Sequence, residues 1–263
     1  MKLFNDTTPT IFTALLFSAL FSGCAIVPAE RDPRDPWESM NRAVFKFNDA
    51  ADKAVFKPAA QAYRFVTPKI VRTGVTNFFS NIYDVNVFFN DLFQGKGQRA
   101  VADAGRVIIN TTFGLGGIID VAGAAGNPKR NEDFGQTMGV WGMGPGPYWM
   151  LPLLGPSSTR DALGRGVDTL LTPTSYIDNT RLSSGLFVLD NLNLRANLLG
   201  TERVLDEAGA IDRYSFLRDS YLQRREVLIY DGNPPKKMDD DDFDLEELDE
   251  PEQPAGPEPA TKQ

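Results

Sequence analysis

Side chains able to run covalent or acid–base chemistry are sparse along this chain and poorly arranged for it. Ser157-Ser158-Thr159, followed by Arg160-Asp161, offers hydroxyls, but no Gly-x-Ser-x-Gly elbow surrounds them. With no histidine among the 263 residues, no imidazole can take their protons, and Cys-His pairs and His metal ligands are excluded as well. The run is better read as a helix N-terminus, with Asp161 near the positive end of the dipole. Asp120, Asp133, Asp161 and Asp168 could supply a carboxylate pair, yet their spacing specifies no site. Phe113-Gly114-Leu115-Gly116-Gly117 and the glycines near Gly144 superficially resemble phosphate cradles. Neither ends in Gly-Lys-Ser/Thr or follows a strand, so both read as turns. An enzyme is not expected, no cofactor or metal is called for, and an ATP-driven pump is excluded for this polypeptide on its own.

Cys24 is the only cysteine, and its position is the informative part. Lys2 precedes an apolar stretch from Ile11 to Phe21, too short to span a bilayer but the right length for the core of a secretory signal. Phe21-Ser22-Gly23-Cys24 resembles a bacterial lipobox, although Leu is usual where Phe21 stands. Cleavage before Cys24 exposes a thiol and an amine, which carry a diacylglycerol and an N-acyl chain. An ordinary signal with a buried cysteine, or an uncleaved anchor, are the alternatives. Each buried methylene contributes about 0.8 kcal/mol, so two or three chains make a durable anchor. Ala25 rather than Asp follows the cysteine. The inner-membrane retention signal is therefore absent, which implies an outer-membrane protein facing the periplasm. Residues 1–23 are expected to be the signal peptide and 24–35 a lipidated tether, extended by Pro28 and Pro33.

The net charge of −8 belongs to one end of the chain. Residues 236–263 hold three Lys and eleven acidic residues, and the remainder is neutral, with 24 basic and 24 acidic groups. A neutral body has no basic field for phosphate backbones, so nucleic acid is not an expected partner. The tail also carries Pro251, Pro254, Pro257 and Pro259 and is expected to be disordered, either solvated or docking through Phe243, Leu245 and Leu248.

Residues 36–235 read as one all-α domain. Asp35 is expected to cap a helix opening on Pro36, with Glu38 completing a capping box. Trp37, Met40, Val44, Phe47 and Ala51 then share a face. Further stripes run through Val71, Val75, Phe78 and Ile82, through Val85, Phe88 and Leu92, and through Val101, Gly105 and Ile108. Others follow through Leu163, Val167 and Leu170, from Phe187 to Leu205, and from Tyr214 to Leu228. Strand-like alternation is nearly absent.

Two features are unusual for such helices. Residues 134–159 carry no charge but contain ten Gly and Pro residues, too many for a continuous helix. An irregular apolar loop or tight hairpin is expected, with Gly135, Gly139, Trp141, Gly142, Gly146, Pro147 and Tyr148 as candidate passage-lining residues. Irregular backbone at membrane depth is tolerated only where protein covers it or where it lines a cavity, so a buried core loop is the competing reading. The second feature is Asn77, Asn81, Asn86 and Asn90, placed at i, i+4 spacing among phenylalanines. Asparagine is a poor helix former, so a polar face turned toward water inside a membrane-embedded ring would explain its use. Ordinary solvent-facing or capping asparagine is the alternative.

These residues carry a resemblance. Asp35-Pro36-Trp37-Glu38, Asn41-Arg42, Phe45-x-Phe47-Asn48, Lys57-Pro58, Asn77-Phe78 and Asn110-Thr111-Thr112 resemble the MlaA (VacJ) outer-membrane lipoproteins. Asp120-Val121-Ala122, Asp133-Phe134-Gly135-Gln136-Thr137, Trp141-Gly142, Gly146-Pro147-Tyr148 and Gly155-Pro156-Ser157 continue it. The resemblance implies a ring of amphipathic helices embedded in one leaflet around a central channel, with the glycine-rich hairpin beside it. It implies removal of misplaced phospholipid from the outer leaflet and transfer to a periplasmic carrier of the MlaC type, upstream of an inner-membrane ABC transporter. Porin trimers are the implied membrane partners. A lipoprotein that only scaffolds porins, and a lipid hydrolase, stay open as alternatives.

Overall fold

The computed structural model describes residues 32–200 and 212–235. Cys24, the tether up to residue 31, the acidic tail from residue 236 and the end of the expected 187–205 helix lie outside the described residues. The described chain is mostly helical, as the apolar spacing requires. Helix α1 (Glu38–Ala51) passes through a π-helical turn (Asp52–Phe56) into α2 (Lys57–Val66). Helices α3 (Lys69–Phe93), α4 (Gly97–Phe113), the single turn α5 (Val121–Ala124) and α6 (Phe134–Val140) follow. A hairpin, β1 (Tyr148–Leu151) with β2 (Gly155–Ser158), leads to α7 (Thr159–Leu171), α8 (Thr180–Leu198) and α9 (Arg213–Ile229).

Three expectations need correction. Asp35 does not cap α1: Pro36-Trp37 form a turn, the helix starts at Glu38, and its N-cap Trp37 makes no side-chain cap. Asp35 is instead fully buried, accepting from Asn41 Nδ2 at 2.8 Å and from the Tyr214 hydroxyl. The Val71–Ile82 and Val85–Leu92 stripes form one helix of 25 residues, since neither Pro nor Gly interrupts the chain between Gly74 and Gly95. The neutral run is half ordered, opening with α6 and closing with the antiparallel hairpin, in which Tyr148 pairs with Ser158.

Packing contacts run in a closed circuit. Helix α2 packs on α8, α8 on α3, and α3 on both α6 and α7; α6 and β2 then meet α9, and β1 returns to α1. Polar side chains staple the joints. Asn41 of α1 reaches the Tyr148 carbonyl at 3.1 Å and receives the Met150 N–H at 2.9 Å. One heptad on, Asn48 holds the Leu151 carbonyl and the Leu153 N–H at 2.9 and 2.8 Å. Across the α2–α3–α8 joint, Asn193 reaches Thr76 at 2.8 Å and Tyr63 reaches Asn193 at 3.2 Å.

Polarity is inverted across these helices. In α4 the buried positions are Ala100, Asp103, Arg106 and Asn110, while Val101 is 74% exposed and Ile108 64%. In α3 Asn81, Asp84, Asn86, Asn90 and Asp91 are buried; in α7 Arg160 and Asp161 are buried and Leu163 and Leu170 are exposed. The clustered apolar core is small: Tyr148, Met150 and Tyr214, flanked by residues such as Phe45 and Leu217. Among the described residues no helix is long and apolar enough to cross a membrane.

Helices α6 and α7 cross with their backbones in near contact. A Cβ added at Gly164 would lie 2.4 Å from the Gly135 nitrogen, and backbone has no rotamer with which to yield. Gly164→Ala is therefore expected to destabilise the protein by about 1–3 kcal/mol in thermal or denaturant unfolding. Gly166→Ala, with nothing within 4 Å, should be neutral or gain up to about 1 kcal/mol. Equal behaviour of the two variants would contradict the close crossing.

Candidate functional site

The densest polar chemistry lies between α3 and α4. Arg106, its side chain 2% exposed, donates to Asp84 and Asp120 at 3.1 Å each and to the Asn127 carbonyl. Asp84 also accepts from Lys129 at 2.6 Å, and Asp103 pairs with Arg130 at 3.0 Å. Asn110 donates to Asp120 at 3.0 Å and accepts the Ala122 N–H at 2.9 Å. Burial works against the charged form of Asp120, but the Gly123 N–H, Asn110 and Arg106 outweigh it and hold the carboxyl below its ordinary range. The 114–132 connection is thus pinned onto both helices by charge-assisted bonds. Removing one member of such a set costs about 3–5 kcal/mol, because the partner stays buried and charged.

The four asparagines divide into two pairs. Asn77 donates to the Ile118 carbonyl at 3.0 Å, holding the turn after α4, and Asn81 donates to Thr111 in the last turn of α4 at 2.9 Å. Gly117, at a φ of +94°, is packed against Asn81, where a Cβ would come within 2.6 Å. Asn86 and Asn90 act further along: Asn90 Nδ2 reaches the Asn86 side-chain oxygen at 3.1 Å and Asp168 at 3.3 Å. Thr137 of α6 donates to Asn90 at 2.7 Å. The asparagine row and the glycine-rich segment, conspicuous separately in the sequence, meet at this bond.

Gly135 and Gly139 lie four apart on a packed face of α6 rather than in an irregular loop. A Cβ at Gly135 would meet Asp161 at 2.5 Å, and one at Gly139 would meet Ile229 at 2.8 Å. Asp133 caps the helix through the Gln136 N–H at 2.9 Å, which explains why two turns form before the first proline, Pro145. Arg225 of α9 clasps Asp133 with two bonds of 2.5 and 2.8 Å and reaches Asp161 at 2.9 Å. Tyr221 donates to Asp161 at 2.5 Å. Burial disfavours the charged forms of Asp133 and Asp161, but Arg225 together with Gln136 at the first, and with Tyr221 and Arg160 at the second, outweighs it, and both carboxyls stay below their ordinary range. Asp168 takes the Phe134 N–H at 2.9 Å, and burial pushes its carboxyl up to about 6.

Within the segment, the loop from Trp141 to Gly146 is exposed throughout. Trp141 stands edge-on to Phe134 with its indole N–H on the Phe93 carbonyl at 3.0 Å. Gly142 and Gly146 turn the chain at φ +93° and +65°, and α7 clips the loop through Arg160 N–H to the Pro145 carbonyl at 3.1 Å. Pro147 offers its carbonyl to the Thr159 N–H at 3.1 Å, and Tyr148 is fully buried beside Tyr214. Ser157 and Ser158 are buried, and Ser158 caps α7 through the Asp161 N–H at 3.1 Å. No group of three or more potential metal ligands occurs among the described residues.

Asp91 is the discordant member. It is fully buried, and both carboxyl oxygens lack a hydrogen-bond donor among the described residues. Burial first, then the facing Asp103 and Glu132, push its carboxyl up to about 7, with Lys96 opposing. A protonated Asp91 can donate to Asp103. An acid held near 7 in the folded chain but near 3.8 when unfolded makes the folded state bind more protons between those values, so its contribution to stability is lost as pH rises through that window. Asp91→Asn keeps the donor without the titration. The variant should unfold at higher temperature than wild type at about pH 8, by on the order of 1–2 kcal/mol, and converge with it at about pH 4. A wild-type advantage that grows with pH would contradict the assignment.

Comparison with known proteins agrees with this architecture. Residues 33–228 match the profile of the MlaA lipoprotein family. The intermembrane phospholipid transport system lipoprotein MlaA of Shigella flexneri is 35% identical over 223 residues, covering 82% of this chain and 87% of that protein. The protein of the same name from Haemophilus influenzae is 30% identical over 232 residues, covering 86% of this chain and 92% of the relative. A solved structure described as "Structural basis for maintenance of bacterial outer membrane lipid asymmetry" superposes with a TM-score of 0.67 at 35% identity, over 76% of this chain and 100% of that one. The family match, the sequence identities and the superposition agree, and the chain belongs to the MlaA lipoprotein family.

Proposed function

We propose that the protein is an outer-membrane lipoprotein, anchored through acylated Cys24 and facing the periplasm, that removes misplaced phospholipid from the outer leaflet. In this reading it hands the lipid to a periplasmic carrier of the MlaC type, which supplies an inner-membrane ABC transporter. The observation that carries the reading is the inverted polarity: charged and amide side chains inside α3, α4 and α7, and exposed Val101, Ile108, Leu163 and Leu170 outside. Such an exterior is costly in water, at about 25 cal/mol per Å² of apolar surface, and costs nothing against acyl chains. The closed circuit of packing then forms a ring seated in one leaflet, and the apolar exterior is also where porin trimers would associate.

Moving two sixteen-carbon chains through water would cost about 25 kcal/mol, an upper bound at about 0.8 kcal/mol per methylene. A ring with a wet interior and a greasy outside lowers that barrier, because the head group crosses beside polar groups while the chains keep apolar company. Asn77, Asn81, Asn86 and Asn90 hold the inner wall in shape, and the Trp141–Gly146 loop stands at its edge. The ring is passive, so direction comes from removal of lipid by the carrier.

In a strain lacking the gene, phospholipid accessible at the cell surface should rise several-fold. A wild-type copy should reverse the rise, and a Cys24→Ala copy should not. Trp141→Asp or Gly144→Asp, at normal protein levels, should restore it only in part. Unchanged surface phospholipid in the deletion strain would remove the transport function, and full restoration by both loop variants would remove the loop from the passage.

A further inference from the structure

Where α3, α8 and the turn after α4 meet, a pocket of about 390 Å³ is lined by Val71, Val75, Phe78 and Phe79 of α3, Ile118 of the turn and Leu189 of α8. Its α3 wall runs from Ile70 to Phe79, so the pocket is a slot that follows the helix for about 13 Å at about 1.5 Å per residue. Ile70, 82% exposed, is the most exposed lining residue, and the slot opens beside the start of α3. Gly74 lets Ile118 close down on the α3 backbone, since a Cβ there would lie 2.9 Å from Ile118 Cγ2.

No polar side chain lines the slot, and the polar groups at its edge are already engaged. The Ile118 carbonyl takes Asn77 Nδ2 at 3.0 Å, and the Thr76 hydroxyl donates to the Arg72 carbonyl at 3.0 Å. Thr76 also receives Asn193 at 2.8 Å and Asn197 at 3.1 Å. Those two bonds, with the Tyr83 hydroxyl on Asp190 beside Leu189, hold α8 against α3, so the walls are fixed before anything enters. By volume the slot has room for roughly a dozen waters, but each needs two to four polar partners and the lining supplies none. A peptide backbone or a polar head group would be left equally unpaired. A preformed, elongated and wholly apolar slot of this size suits a flexible hydrocarbon chain.

We propose that this slot holds one acyl chain of a phospholipid drawn from the surrounding leaflet, with the head group and the second chain outside it. The proposal rests on the transport reading and deepens it by locating where a chain is gripped.

The full-length acylated protein is placed in phospholipid nanodiscs doped with a phosphatidylcholine whose acyl chain ends in a diazirine, irradiated, digested and mapped by mass spectrometry. Adduct yield at Val75, Phe78 and Ile118 should exceed that at Val101 and Ile108 by about fivefold, although the latter two are the more exposed. Val71→Trp and Leu189→Trp, which fill the slot from opposite walls, should each cut the yield at Phe78 and Ile118 by about fivefold with thermal unfolding unchanged. Val101→Trp should leave it as it is, and Cys24→Ala, without acyl chains of its own, should label like wild type. Equal yields in slot and belt would overturn the proposal, as would yields that neither slot-filling tryptophan lowers. Labelling gained only in Cys24→Ala would give the slot to the protein's own anchor, and labelling lost in isolated outer membranes would give it to a protein neighbour; either result overturns the proposal. Normal surface phospholipid in the deletion strain together with slot labelling removes transport and leaves the slot. A rise in that strain together with equal yields removes the slot and leaves transport.

Discussion

Arg106 lies almost wholly inside the protein, where Asp84, Asp120 and the Asn127 carbonyl surround its guanidinium. Those partners are themselves held: Asp84 by Lys129, Asp120 by Asn110 and the Gly123 N–H. None can move without leaving a buried charge uncompensated, which fixes α3 against α4 and the following turns against both. Arg225 does the same for α6, α7 and α9 through Asp133 and Asp161. Because a helix has only two faces to assign, turning its polar face inward turns its apolar face out. The exposed belt of Val101, Ile108, Leu163 and Leu170 is therefore the other side of the same arrangement.

The same arrangement ties interior side chains to one another. Asn81 donates to Thr111, and Asn90 to Asn86 and Asp168, so both act first as ties between neighbouring elements.

Much of the helical architecture was legible from spacing. The stripes Val101–Ile108 and Leu163–Leu170 correctly group residues on one face of α4 and of α7. Periodicity alone cannot say which face is buried, and in α4 and α7 it is the polar one. Glycine content misled in the neutral run: Gly135 and Gly139 were counted as helix breakers, whereas at i, i+4 they let α6 approach α7 and α9. Asp35 carried the right signal for polar bonding but the wrong partner, since Tyr214 lies far along the chain. The ion pairs of Arg106 left one usable trace, a charge beside the apolar Val107-Ile108-Ile109 run, whereas Arg225 sits in a helix charged along its length. Their carboxylates were visible, but only tertiary contact shows which arginine each one holds.

The central claim is that the outward stripes of α4 and α7 lie in the acyl layer of one leaflet. The most direct measurement places nitroxide labels singly at Val101, Ile108, Leu163 and Leu170 in the acylated protein, reconstituted in phospholipid bilayers, and compares relaxation by oxygen with relaxation by a water-soluble nickel chelate. High oxygen and low nickel accessibility at all four positions is the predicted result. Strong relaxation by the nickel chelate at these positions would place the belt in water and contradict the account.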